Sequence, residues 1–141
     1  MLVARDNDAF ANGDWGPVAG DFAFDRFEGI TANGSADPAD WTLAYPTVGA
    51  YRADWLRMAA EHARRPLAGV GRRVILYRMS KLERIEISDD RAIARKTFRA
   101  DAPLSDGGRW RVQAQTMYRL HRMDGKWKIA GFVGYLPLDG V

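Results

Sequence analysis

The sequence predicts one α+β domain over residues 1–141: short helices first, one long amphipathic helix, then long antiparallel strands. Three observations carry this. Apolar residues between 47 and 64 recur at helical steps of three and four. From residue 80 onward the pattern shifts to runs rich in β-branched and aromatic residues. Two tight turns, Asp89-Asp90 and Asp124-Gly125, join those runs as hairpins.

Taken in order, residues 2–11 read as a short helix ended by Asn12-Gly13. Asp14 caps a second helical turn through Pro17, closed by Gly20. Residues 21–30, "DFAFDRFEGI", read as a first strand, and "TANGSADPAD" after it is loop chemistry. In the long helix Thr47 is the N-cap, and Val48, Tyr51, Trp55, Ala59 and His62 share one face. Pro66 and Gly69 stop it. The pattern changes period from residue 72. Strands are predicted at 80–88, 91–100, 109–122 and 126–136, with a longer loop at 101–108.

The turns predict registers. About Asp124-Gly125, Arg122 faces Trp127, Leu120 faces Ile129, Tyr118 faces Gly131, Thr116 faces Val133 and Ala114 faces Tyr135. Thr116, Tyr118, Leu120, Trp127, Ile129 and Tyr135 then lie on the inner face. Met117 and Phe132 become apolar partners on a polar outer face. About Asp89-Asp90, Ile87 faces Ala92, Ile85 faces Ala94 and Glu83 faces Lys96. These registers assume unbulged strands.

Composition narrows the function classes. Hydrophobic residues make up 47% and charged residues 28%, a globular balance. Lys plus Arg is 21 against 18 for Asp plus Glu, and the arginines are spread from Arg52 to Arg122 rather than concentrated. With the aromatics committed to the core, no nucleic-acid partner is expected. Arg64-Arg65 and Arg72-Arg73 read as solvated helix ends. The absence of cysteine excludes disulfides, thiolate metal sites and a cysteine nucleophile. With only His62 and His121, no metal site is expected. No apolar run approaches the ~20 residues of a membrane span. The start "MLVARDNDAF" lacks a signal-peptide core, so a cytoplasmic protein is expected. Neither a phosphate-binding glycine loop nor a G-x-S-x-G nucleophile motif occurs.

The order of elements, with "FANGDW" leading into "DFAFDRFEGI", the hairpin "LERIEISDDRAIARKTFRA" and the terminal "YRLHRMDGKWKIAGFVGYLP", resembles the nuclear transport factor 2-like superfamily. That superfamily includes ketosteroid isomerases and SnoaL-like polyketide cyclases. The resemblance covers nearly the whole chain. It implies a cone-shaped fold, a curved antiparallel sheet wrapped around the long helix. It also implies an apolar pocket open at one end, no cofactor, and a homodimer through the outer sheet face, where Met117 and Phe132 sit. Catalytic members are expected to use an aspartate as proton shuttle and a tyrosine to polarise a carbonyl. Because the superfamily holds catalysts and passive binding modules alike, fold does not settle activity.

On this basis the chain is expected to be a pocket protein for a hydrophobic small molecule. One reading is a cofactor-independent isomerase, cyclase or dehydratase of a hydrophobic carbonyl compound. The other is a non-catalytic ligand-binding or assembly domain. Asp25 is the candidate base, since an apolar wall raises a carboxylate's pKa toward neutral. Alternation leaves its face open: Asp21, Ala23, Asp25 and Phe27 oppose Phe22, Phe24, Arg26 and Glu28. Tyr118 points inward, either as carbonyl donor or as a core tyrosine. His62 on the helix stripe is a catalytic candidate or a satisfied core residue, and the paired pocket histidines of scytalone dehydratases are not reproduced. Tyr45 and Tyr51 can line the mouth, with Trp55, Thr116 and Tyr135 further in. Lys96 either forms a structural pair with Glu83 or binds an anionic group.

Overall fold

The computed structural model describes residues 2–69 and 71–138. Helix α1 spans Leu2–Asn12 and is followed by a 3-10 turn at Gly16–Asp21. Strand β1 is Glu28–Thr31 and β2 is Thr42–Tyr45. Helix α2 is Val48–Arg64 and α3 is Arg72–Met79. Four long strands complete the chain: β3 Ser80–Ser88, β4 Arg91–Pro103, β5 Arg109–Met123 and β6 Lys126–Leu136. They form one curved, unclosed sheet in the order β2-β1-β6-β5-β4-β3, antiparallel except where β1 runs parallel to β6. No described helix is long and apolar enough to cross a membrane.

The long helix forms as its sequence requires. Thr47 Oγ1 accepts from the Ala50 amide at 3.1 Å, satisfying one of the free donors of the first turn. Val48, Trp55, Ala59 and His62 are buried along one face. Trp55 meets Phe10 and Trp15 edge-on, with ring centroids 5.4 and 5.2 Å away. This aromatic cluster extends through Phe22, Phe27 and Val18 and ties both N-terminal helical segments to α2.

Two expectations are corrected and one strand is added. Residues 21–27 are not strand. Phe22 makes one isolated bridge to Ile129, and the ladder starts only at Glu28. Phe22 and Phe27 are both buried with rings 5.9 Å apart, whereas alternation along a strand would send them to opposite faces. A turn at 24–26 reconciles them, and it leaves Phe24 68% exposed. Second, residues 72–79 are helical: Ile75, Leu76 and Met79 are buried at helical spacing, so the period changes at Ser80. The sequence reading gives residues 42–45 no element; they form β2, which pairs antiparallel with β1 at the sheet edge.

The hairpin registers hold near both turns and shift beyond β-bulges. In β5–β6, Leu120 faces Ile129, but Arg119 faces Gly131, which makes Ala130 the extra residue. Gly131, Phe132 and Val133 change face. Tyr118 therefore opposes Phe132, and Met117 opposes Val133, not Phe132. Phe132 packs inward against Tyr51, centroids 5.0 Å apart, so the outer apolar pair is Met117 with Val133. A second shift follows Val133, so the expected pairs Thr116–Val133 and Ala114–Tyr135 do not form. Tyr135 sits there at φ 56, a strained angle for a bulky residue. Glycine is required at 131, where β1 crosses close: a Cβ would lie 2.5 Å from the Glu28 carbonyl oxygen. In β3–β4 the register slips by one between Leu82 and Arg84. Lys96 then opposes Leu82, and Glu83 is displaced from it.

Candidate functional site

Two adjoining cavities lie between the concave sheet face and the helices, one of about 250 Å³ and one of about 380 Å³. Asp6, Tyr51, Lys96 and Tyr118 line both. Four different elements deliver these side chains. Helix α1 presents Asp6, α2 presents Tyr51 from its apolar stripe, and neighbouring strands present Lys96 and Tyr118. Lys96 opposes Thr116 and Ala94 opposes Tyr118, so the lysine and the tyrosine are diagonal neighbours on the inner face.

The Lys96 side chain is only 6% exposed, and its ammonium lies 3.5 Å from Asp6 Oδ2 and 5.0 Å from the centre of the Phe98 ring. Burial works against that charge. The nearby Tyr118 and Asp6 groups outweigh it and hold Lys96 above the ordinary lysine range. The other Asp6 oxygen, Oδ1, accepts from Trp55 Nε1 at 3.2 Å. Burial raises Tyr118 above the ordinary phenol range, with the Lys96 charge opposing the shift. Tyr51, enclosed by Trp15, Phe22, Phe27, Tyr45 and Phe132, is raised strongly by burial. Both phenols are thus neutral donors at neutral pH.

The larger cavity gathers nearly every residue expected at a site: Tyr45, Tyr51, Trp55, His62, Lys96, Thr116, Tyr118 and Tyr135. Tyr45 donates to Asp54, which Arg57 Nη2 holds at 2.6 Å, and burial followed by that hydrogen bond pushes the phenol upward. The Tyr135 hydroxyl reaches Met58 Sδ at 3.5 Å across the cavity rim.

Two expected roles change. Asp25 lies in the exposed turn at 24–26 with its side chain 62% accessible, 3.4 Å from Arg26, and lines neither cavity. It lacks the desolvation that a carboxylate base requires, so the expected Asp25–Tyr118 pair does not exist. Lys96 is paired not with Glu83 but with Asp6. The sequence reading missed Asp6. Its signal was helical spacing: Val3, Asp6 and Phe10 recur at steps of three and four, which puts a carboxylate on the apolar side of α1.

His62 is buried, and both ring nitrogens are occupied. Arg65 Nη1 can only donate, so Nδ1 accepts at 2.9 Å; Nε2–H then donates to the Arg72 carbonyl oxygen at 3.1 Å. The imidazole is a neutral brace between α2 and the start of α3, with no nitrogen left for proton transfer. Its pKa is lowered, first by burial and then by the Arg65 and Arg72 charges, against the backbone hydrogen bond. Because the folded value is depressed, its contribution to stability is present above pH 6.5 and is lost as pH falls below it. Urea midpoints measured across this range are expected to fall on acidification for the wild type. The acid-side slope should shrink in His62→Gln; an unchanged slope would remove His62 as its source.

Among the described residues no three His, Asp or Glu side chains gather as a metal site. No family model matches the sequence, and no curated protein matches it. Solved structures do match. An NTF2-like protein of unknown function from Pseudomonas putida KT2440 aligns with 98% of this chain and 83% of its own, at 16% identity and a TM-score of 0.63. The fold is that of the nuclear transport factor 2-like proteins. A second NTF2-like protein of unknown function, from Shewanella oneidensis MR-1, aligns over 94% of this chain and 92% of its own at 12% identity, TM-score 0.60. A ketosteroid isomerase-like protein from Erwinia carotovora atroseptica covers 99% and 92% at 11% identity, TM-score 0.52. At such identities the likeness extends to the nuclear transport factor 2-like fold alone, and the chemistry must be argued from the residues.

Proposed function

We propose that this protein binds a hydrophobic carbonyl compound and transfers a proton on it without a cofactor, as an isomerase, cyclase or dehydratase does. The observation that carries this reading is the cluster of the enclosed Lys96 with Tyr118 and the partly exposed Asp6 at the meeting of two largely apolar cavities. The Lys96 ammonium and the neutral Tyr118 phenol are donors for the carbonyl oxygen. Among the described residues Asp6 is the one carboxylate that lines both cavities, and it takes the role that the sequence reading assigned to Asp25. In the step, the Cα–H bond breaks, the proton passes to an Asp6 oxygen, and the electron pair moves onto the carbonyl oxygen as an enolate. Reprotonation at carbon returns the carboxylate.

A passive binding domain is the second reading. It is favoured by the Asp6 carboxylate itself, which is engaged by Trp55 Nε1 on one oxygen and by Lys96 on the other, so both oxygens are held in structural contacts. Proton NMR of a cyclic enone in deuterated water separates the two. Catalysis predicts protein-dependent loss of the α-proton signal, abolished in Asp6→Asn and strongly reduced in Tyr118→Phe. Enone binding without exchange selects the passive domain. Exchange that survives in Asp6→Asn removes Asp6 as the base.

A further inference from the structure

We infer that the ligand is uncharged and elongated, with its carbonyl inboard and one apolar branch in each cavity. This rests on the carbonyl pocket proposed above and narrows its substrate class. The polar groups lie where the cavities adjoin, since Asp6, Lys96, Tyr51 and Tyr118 are the side chains common to both. Beyond them the smaller cavity is walled by Val18, Phe22, Ala94, Leu120 and Ile129. Its remaining acid, Asp21, is turned to Arg5 at 2.8 Å. The larger cavity continues past Phe10, Phe98, Trp110 and Val112. Its charged rim is internally matched: Arg57 pairs with Glu61 at 2.6 Å, and Arg65 is taken by His62. Each cavity alone is near the lower end of the roughly 300–1,000 Å³ typical of ligand sites, and the two together fall well inside it. A molecule with a terminal carbonyl fills only one side.

Charge balance sets the second half of the inference. Lys96 is already neutralised by Asp6, so the pair offers hydrogen bonds without net charge. A carboxylate at the junction would place two anions against one cation in a desolvated site. A neutral carbonyl meets no such penalty.

The test is titration by intrinsic tryptophan fluorescence with symmetric dialkyl ketones, from dipropyl to diheptyl, beside methyl ketones and fatty acids of equal carbon count. Dialkyl ketones should tighten by up to about fourfold per buried methylene and exceed their methyl ketone isomers by at least tenfold. The fatty acids should be weakest. Ala94→Leu fills the smaller cavity alone and Ala114→Leu the larger alone, and each should erase the dialkyl preference while leaving methyl ketone binding. The wild-type series decides the matter even where a variant misfolds. Methyl ketones that bind as tightly as dialkyl isomers overturn the two-branch ligand while the carbonyl pocket stands. Fatty acids that bind best overturn the neutral ligand. If no ketone binds at all, the pocket reading fails and this inference with it.

Discussion

Asp6→Asn is expected to lower folding stability by about 2–3 kcal/mol. Breaking a buried ion pair costs about 3–5 kcal/mol because it strands the surviving charge. The lower figure applies here because the Asp6 side chain is 35% exposed, although Lys96 is enclosed. Asp6→Asn combined with Lys96→Met should recover most of the loss, since an apolar replacement of a buried pair is often neutral or better. Urea unfolding of the wild type, both single variants and the double variant measures the coupling. Losses that simply add would show that the two groups do not act as a pair. The pair also has an alkaline signature. Lys96, Tyr51 and Tyr118 all have folded values raised above the unfolded ones, so their contributions are complete below about pH 10 and decline as pH rises through the folded values. The lysine share of that decline should vanish in the double variant, and the phenol share should remain.

Trp55→Ala should cost about 3–5 kcal/mol, the range for emptying a buried tryptophan site. Trp55 is 2% exposed, meets Phe10 and Trp15 edge-on, and donates the hydrogen bond that orients Asp6. Trp55→Phe separates these contributions. It keeps a ring in the cluster, so most stability should return, but it leaves Asp6 without its indole donor. Thermal unfolding together with the enone exchange assay reads both effects. A Trp55→Phe protein with full stability but altered exchange would assign the indole N–H to positioning Asp6. Exchange left unchanged in a stable Trp55→Phe protein would assign Trp55 to packing alone.

What the sequence made legible follows from how local each determinant is. Helix α2 could be read from Thr47, its apolar stripe and Pro66, all within one segment. The four long strands could be read because Asp89-Asp90 and Asp124-Gly125 set register over the residues next to them. Eight of the nine expected site residues, all but Asp25, line the larger cavity, because side-chain periodicity placed most of them on inner faces. Asp25 failed because its neighbours Phe22 and Phe27 are buried through a turn, and turns without Gly or Pro leave little trace in a pattern of alternation. Helix α3 was missed because Arg72, Arg73 and Arg78 dilute its apolar face. Asp6 was missed because a carboxylate on an amphipathic helix is ordinarily solvated. Only the folded chain brings Lys96 to it.

The extra residue at Ala130 decides which side chains of β6 face the cavities. One inserted residue, not a change of residue type, turns Phe132 from the convex side to the pocket wall. Across distant relatives, ligand preference can therefore change by gain or loss of a single codon while the composition of the strand stays constant. An ungapped alignment through this strand would equate wall positions with surface positions. Relatives are best matched here by counting outward from the Asp124-Gly125 turn and locating each bulge before any residue is assigned a role.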